Sequence, residues 1–152
     1  MASIFTTSNT IGTTYGSIGN GIPFDLSGVV DYEQIYSAAA FSGPISFNTI
    51  TFFDTQIPGS SLTLANYDIT FSYTSSPLNS QYPISGTGTQ SFFDGILGGP
   101  IVGTSFSISG PTFNYDPALG NLLIDVQVTN QQMAGYGGLD RDAFTGVSRA
   151  SR

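Results

Sequence analysis

The sequence predicts an all-β fold. Three observations carry that expectation. Nineteen glycines and eight prolines punctuate the chain, roughly every 8–12 residues, at the spacing of turns between short strands. Aromatic and β-branched residues fill the intervals, and these side chains fit a pleated, half-buried surface. The clearest intervals alternate apolar and polar side chains with a period of two, the signature of a strand with one face in a core.

Taken in order, residues 1–18 are rich in Ser and Thr, with Ile4, Phe5, Ile11 and Tyr15 as isolated apolar points. They read as an N-terminal arm or edge strand, and residues 19–152 as a single β-sandwich domain. YEQIYS (32–37) is the first strand inside it. AAAF (38–41) has helix propensity but is too short for an independent helix, so one turn is expected. PISFNTITFF (44–53) is apolar at Ile45 and Phe47, then at Ile50 and Phe52. The parity changes at Asn48, and a bulge there would return all four to one side. Phe53 argues instead for burial on both faces.

NYDITFSYT (66–74) alternates most cleanly, with Tyr67, Ile69, Phe71 and Tyr73 on one face. TQSFFDGIL (89–97) is a strand in which Asp94-Gly95 reads as a bulge more than as a hairpin turn. TSFSIS (104–109) and PTFNY (111–115) follow as two further strands. NLLIDVQVT (121–129) sets Leu122, Ile124, Val126 and Val128 on one face. A last strand is expected at 144–150, and the Gly pairs at 98–99 and 137–138 as loops. About eight or nine short strands of this kind predict a two-sheet antiparallel β-sandwich, jelly-roll-like, with a closed barrel as second choice.

The composition limits the chemistry. The chain has no His, Cys, Lys or Trp, and its three cations are Arg141, Arg149 and Arg152. His is the usual general base near neutral pH, and Cys and Lys are the usual activated nucleophiles. Binding or assembly is therefore expected, and enzymatic turnover is not. Charged residues make up 9% of the chain, against about 25% in ordinary soluble domains. With a formal net charge of −7, the chain lacks the cations that nucleic acid or an anionic membrane would require. No apolar run reaches the ~18 residues of a membrane span. The N-terminus has neither the basic nor the apolar region of a signal peptide.

GNGIPFDLSG (19–28), YEQIYSAAAFSGPISFNTITFF (32–53), LANYDITFSYTSSPL (64–78), FFDGILGGP (92–100), FNYDPALGNLLIDVQV (113–128) and FTGVSRA (144–150) together resemble the globular part of bacterial PEP-CTERM sorting-domain proteins. YDPALGNLLIDV is the most specific stretch. The resemblance implies a secreted β-sandwich on or outside the surface of a Gram-negative bacterium that exports polysaccharide. It implies no catalytic residues. Such proteins carry a signal peptide and a C-terminal Pro-Glu-Pro tag with a membrane helix. Neither is in this sequence, so either the tags were trimmed or the resemblance is partial.

Four tyrosines, Tyr32, Tyr36, Tyr82 and Tyr136, fall outside the best core faces. A concave sheet lined by them would stack on sugar rings, although the core is the commoner place for any one Tyr. No cofactor is expected, apart from a structural calcium, which takes carboxylate, amide and carbonyl oxygens. Asp140 and Asp142 beside Gly137-Gly138 form one candidate loop, and Asp116 with Asn121 forms another. For Asp116-Pro117 the start of a turn is the preferred alternative. Ten carboxylates with a single Glu and no Trp are a poor set for glycoside hydrolysis. The expected partners are exopolysaccharide or other copies of the chain. A carbohydrate-binding module and a self-assembling subunit are the two alternatives to a structural or adhesive role.

Overall fold

A computed structural model of the protein describes residues 18–20, 23–24, 28–55, 57, 59–137, 139–141 and 146–151. Of the expected arm at 1–18, residues 1–17 lie outside them. Nine strands occur among the described residues: β1 (Ile18–Asn20), β2 (Asp31–Tyr36), β3 (Ile45–Phe53), β4 (Ser61–Thr74), β5 (Thr87–Pro100), β6 (Ser105–Tyr115), β7 (Asn121–Met133), β8 (Leu139–Arg141) and β9 (Val147–Ser151). The only helical turns there are short 3₁₀ pieces at Ala38–Ala40 and Pro117–Leu119. The fold is all-β and sandwich-like.

Every strand pair is antiparallel, and the pairs nest. β4 pairs with β5, β3 with β6, β2 with β7, and β1 with β8. β4 also pairs with β7, and β9 adds to the free edge of β2, giving a five-stranded sheet in the order β5-β4-β7-β2-β9. The β3–β6 pair lies across the core from it, with β3 approaching β8.

The core between the layers is largely aromatic. Phe24 packs on Phe52, Tyr67 and Phe106. Phe71 meets Phe47, Phe92 and Phe113, with ring centroids 4.9 Å from both Phe47 and Phe92. Tyr73, Tyr115 and Phe41 continue the column. The edge-to-face pairs set the positive ring rim of one against the negative face of the next, worth about 0.5–1.5 kcal/mol each beyond burial. Leu122, Ile124, Val126 and Val128 fill the same layer from β7.

The local expectations are met where one strand's own parity decides. Ile45, Phe47, Ile50 and Phe52 all pack on the core, and the register of β3 against β6 shifts between Phe47 and Thr49. Phe53, by contrast, lies on the outer side, 36% exposed. Other expectations need correction. Residues 105–115 form one strand, not two, because Gly110-Pro111-Thr112 sits as an irregularity opposite Asn48. A Cβ at Gly110 would overlap the carbonyl oxygen of Phe92, so only glycine lets β6 pass β5 there. Asp94-Gly95 runs in regular register with Asp68 and Tyr67, and the bulge falls at Phe92. That position lets the consecutive Phe92 and Phe93 both reach the core. Gly98-Gly99 belongs to β5, not to a loop.

Replacing Phe71 with Ala is expected to destabilise the protein by about 3–5 kcal/mol. Ile96→Ser, on the outer side of β5, should change stability by less than about 0.5 kcal/mol. Urea denaturation followed by tyrosine fluorescence measures both.

Candidate functional site

The tyrosines expected to form a platform do not share a surface. Tyr32 is 6% exposed and belongs to the aromatic core, which corrects its placement outside the core faces. Tyr36 is partly buried against the same core. Their parity in β2 points them inward, with Asp31, Glu33 and Ile35 outward. Tyr82 lies in the β4–β5 connection on the other side of the sheet, and Tyr136 is 71% exposed beside Ser61.

The Asp116 and Asn121 pair is held in local hydrogen bonds. The Asp116 carboxylate accepts from the Ala118 N–H at 2.9 Å and caps the 3₁₀ turn that Pro117 opens. This is the turn start that Asp-Pro favours. The Asn121 amide accepts from the Ala38 N–H and donates to the Ser76 carbonyl. Nearby, Tyr115 donates to the Gly120 carbonyl at 2.7 Å. Burial first, then Tyr73 and Asp116, pushes its phenol up to about 12. Of the other proposed calcium pair, Asp140 lies in β8, where it pairs with Gly19, and Asp142 lies outside the described residues. Among the described residues, no group of three or more His, Cys, Asp or Glu is placed to hold a metal ion.

Carboxylates do converge, at a place the sequence reading did not mark. The outer face of the five-stranded sheet carries two cross-strand rows. Glu33 of β2 faces Asp125 of β7. In the next row Asp31 faces Gln127, Gln127 faces Asp68, and Asp68 faces Asp94. Directly opposed like charges destabilise a sheet. Asp31 and Glu33 are 6% and 3% exposed.

They are covered by the β4–β5 connection, residues 75–86, which folds back over the sheet as a strap. The Tyr82 hydroxyl donates to Asp31 Oδ2 at 2.8 Å. The Ile84 N–H donates to both Glu33 oxygens, at 2.9 and 3.0 Å. Beneath the strap, Ile84 packs with Ile35 and Leu123, flanked by Leu78 and Ala150, as a small apolar cluster separate from the main core. Gly86 ends the strap where a side chain would strike Ser72. An open hollow of about 660 Å³ adjoins it, lined by residues that include Val30, Asp31, Tyr82 and Gln127.

Burial raises the Glu33 carboxyl above its ordinary value. The Ile84 N–H opposes that shift, and the Asp31 charge adds to it. Asp125 is pushed up to about 7, first by burial, then by its hydrogen bond to Asp31 and by the charges of Asp31, Glu33 and Asp68. A carboxyl held near 7, as Asp125 is, is able to pass protons near neutral pH. Here, however, Asp31 and Glu33 serve to hold the strap, and little of either meets solvent.

The acids were missed because their signal is non-local. Asp68, Asp125 and the Asp31/Glu33 pair each sit on the polar parity of their own strand, as any solvated acid would. Only the alignment of β2, β7, β4 and β5 brings them together.

Two outcomes follow. The folded chain keeps a proton on Asp125 up to about pH 7, while the unfolded chain loses it near pH 4. Stability contributed by this group therefore falls as pH rises across that window and levels off above it. Glu33 acts in the same direction. In urea denaturation across that range, Asp125→Asn should show a shallower fall than the wild type. Separately, Asn121→Ala removes two hydrogen bonds and is expected to cost about 1–3 kcal/mol, read by the same measurement.

No family model, curated protein or solved structure matches this chain.

Proposed function

We propose that this chain is a non-enzymatic β-sandwich that works by contact, as a structural or adhesive element of a bacterial surface or exopolysaccharide matrix. The observation that carries the reading is the outer side of the β3–β6 pair. Neither strand contains a charged residue. Their outward side chains form a ladder of neutral hydrogen-bonding groups. Ser46 donates to Asn114 at 2.6 Å, the Thr51 and Ser107 hydroxyls meet at 2.8 Å, and those of Thr49 and Ser109 at 3.3 Å. All six of these residues are exposed. A neutral array of donors and acceptors matches a polyhydroxylated polymer, and binding there desolvates no ion.

The nested pairing of β1 with β8, β2 with β7, β3 with β6, and β4 with β5 supports a jelly-roll reading of the architecture. Eight strands wound as two Greek keys would produce those four pairs. The resemblance over residues 19–150 to PEP-CTERM proteins supports a secreted or outer-surface location. Burial of Asp31 and Glu33 under the strap favours binding over catalysis. Self-assembly is the second reading. It is favoured by β9, a short strand at the sheet margin that pairs on one side with β2 and carries a single charged residue, Arg149.

Titration of a panel of neutral and acidic polysaccharides, with and without EDTA, tests the proposal. Binding is expected, and the double variant Thr51→Val/Ser107→Ala should weaken it about tenfold, as the loss of one to two net hydrogen bonds implies. A calcium requirement would show as loss in EDTA. A chain that binds no polysaccharide and stays monomeric at high concentration in size-exclusion chromatography makes neither contact, and the proposal fails.

A further inference from the structure

The two acid rows leave an imbalance at Asp31 and Asp125. Asp31 is more than nine-tenths buried, yet only one of its oxygens is used, by Tyr82. Asp31 Oδ1 and Asp125 Oδ1 are both shielded from solvent, and neither accepts a hydrogen bond from a donor among the described residues. Two buried anions with idle oxygens are costly, since each loses hydration and repels the other. A single proton resolves both deficits. Placed on Asp125, it makes an O–H donor, and Asp31 accepts.

The strap is fastened to the same carboxylates. Tyr82 donates to Asp31, and the Ile84 N–H donates to Glu33, which faces Asp125 across the β2–β7 pair. The strands beneath are tied by continuous backbone ladders. The strap itself holds through these bonds, a few others such as that of Thr74 to the Ser85 carbonyl, and the packing of Leu78 and Ile84. It is the element that gives way at least cost.

We propose that Asp31 and Asp125 share one proton, and that this proton latches the 75–86 strap onto the five-stranded sheet. Loss of the proton to solvent places two adjacent anions beside Glu33, with Asp68 and Asp94 on the neighbouring strands and Tyr82 above. Lifting the strap rehydrates these groups and uncovers Ile35 and Leu123 among the acids of the outer sheet face above neutral pH. The raised value of Asp125 sets the turning point near pH 7. The latch does not depend on what the β3–β6 face binds.

Hydrogen exchange of the Ile84 amide, followed by NMR on the full chain, tests the latch. After correction for intrinsic exchange, protection should fall roughly tenfold or more between about pH 5.5 and pH 8.5. In Asp125→Asn the side-chain amide donates to Asp31 at every pH, so protection should not change. Carboxyl ¹³C shifts of the wild-type chain give a second measurement that needs no variant. Asp125 titrating near pH 4, like an ordinary carboxyl, overturns the proposal, as does Ile84 protection that is the same at both pH values. Protection at high pH that requires added calcium would assign the site to a metal ion and would likewise overturn it.

Discussion

The aromatic column between the layers is the constraint on which the rest depends. Phe24, Phe71, Phe113 and Tyr115 are almost wholly buried; Phe24 stacks on Tyr67 at one part of the sandwich, and Phe71, Phe113, Tyr73 and Tyr115 touch ring to ring along another. Rings of this size set the distance between β4 and β7 on one side and β3 and β6 on the other. Each strand must then turn its aromatic or aliphatic parity inward, which leaves the opposite parity no choice of face. The irregularities at Asn48 and Phe92 serve this end. Each corrects a strand whose apolar residues would otherwise point both ways. Tyr67 shows that the column also accommodates polar tips, because its hydroxyl donates to the Thr63 carbonyl within the core.

With the inner faces committed, the two outer faces diverge. β3 and β6 carry Ser, Thr and Asn outward, and the cross-strand hydroxyl pairs satisfy one another without charge. β2, β7, β4 and β5 carry outward five of the chain's ten acids, Asp31, Glu33, Asp68, Asp94 and Asp125. In a chain with so few ions, that concentration is the dominant electrostatic feature. The strap answers it with two donors, Tyr82 and the Ile84 N–H, and with an apolar cover. Asp125, held up to about 7, relieves the remaining repulsion by staying protonated.

The same division explains which parts of the molecule could be read in advance. Tyr67, Ile69, Phe71 and Tyr73 were legible as one face because period-two alternation is a property of a single strand. So were Leu122 to Val128, the Asn48 irregularity, the single turn at Ala38–Ala40 and the Asp116-Pro117 turn. Tyr32 was misplaced because YEQIYS alternates weakly. Its partner on the inner parity is Gln34, to which its hydroxyl donates, and only the neighbouring strands reveal which parity is inside. Gly98-Gly99 resembled a loop because glycine marks turns, whereas here Gly98 lets β5 run close against Leu64.

By itself the sequence determined the class of fold, the parity of its strongest strands and the scarcity of charge. Those properties depend on residue type and on spacing within about ten positions. Only the tertiary structure decided that Asp31, Glu33 and Asp125 lie together, that residues 75–86 close over them, and that Tyr32 and Tyr36 turn into the core while Tyr82 and Tyr136 lie apart from them. Residues 31 and 125 become neighbours through the pairing of distant strands, and register between such strands follows from the packing of the whole sandwich, which no local window of sequence contains.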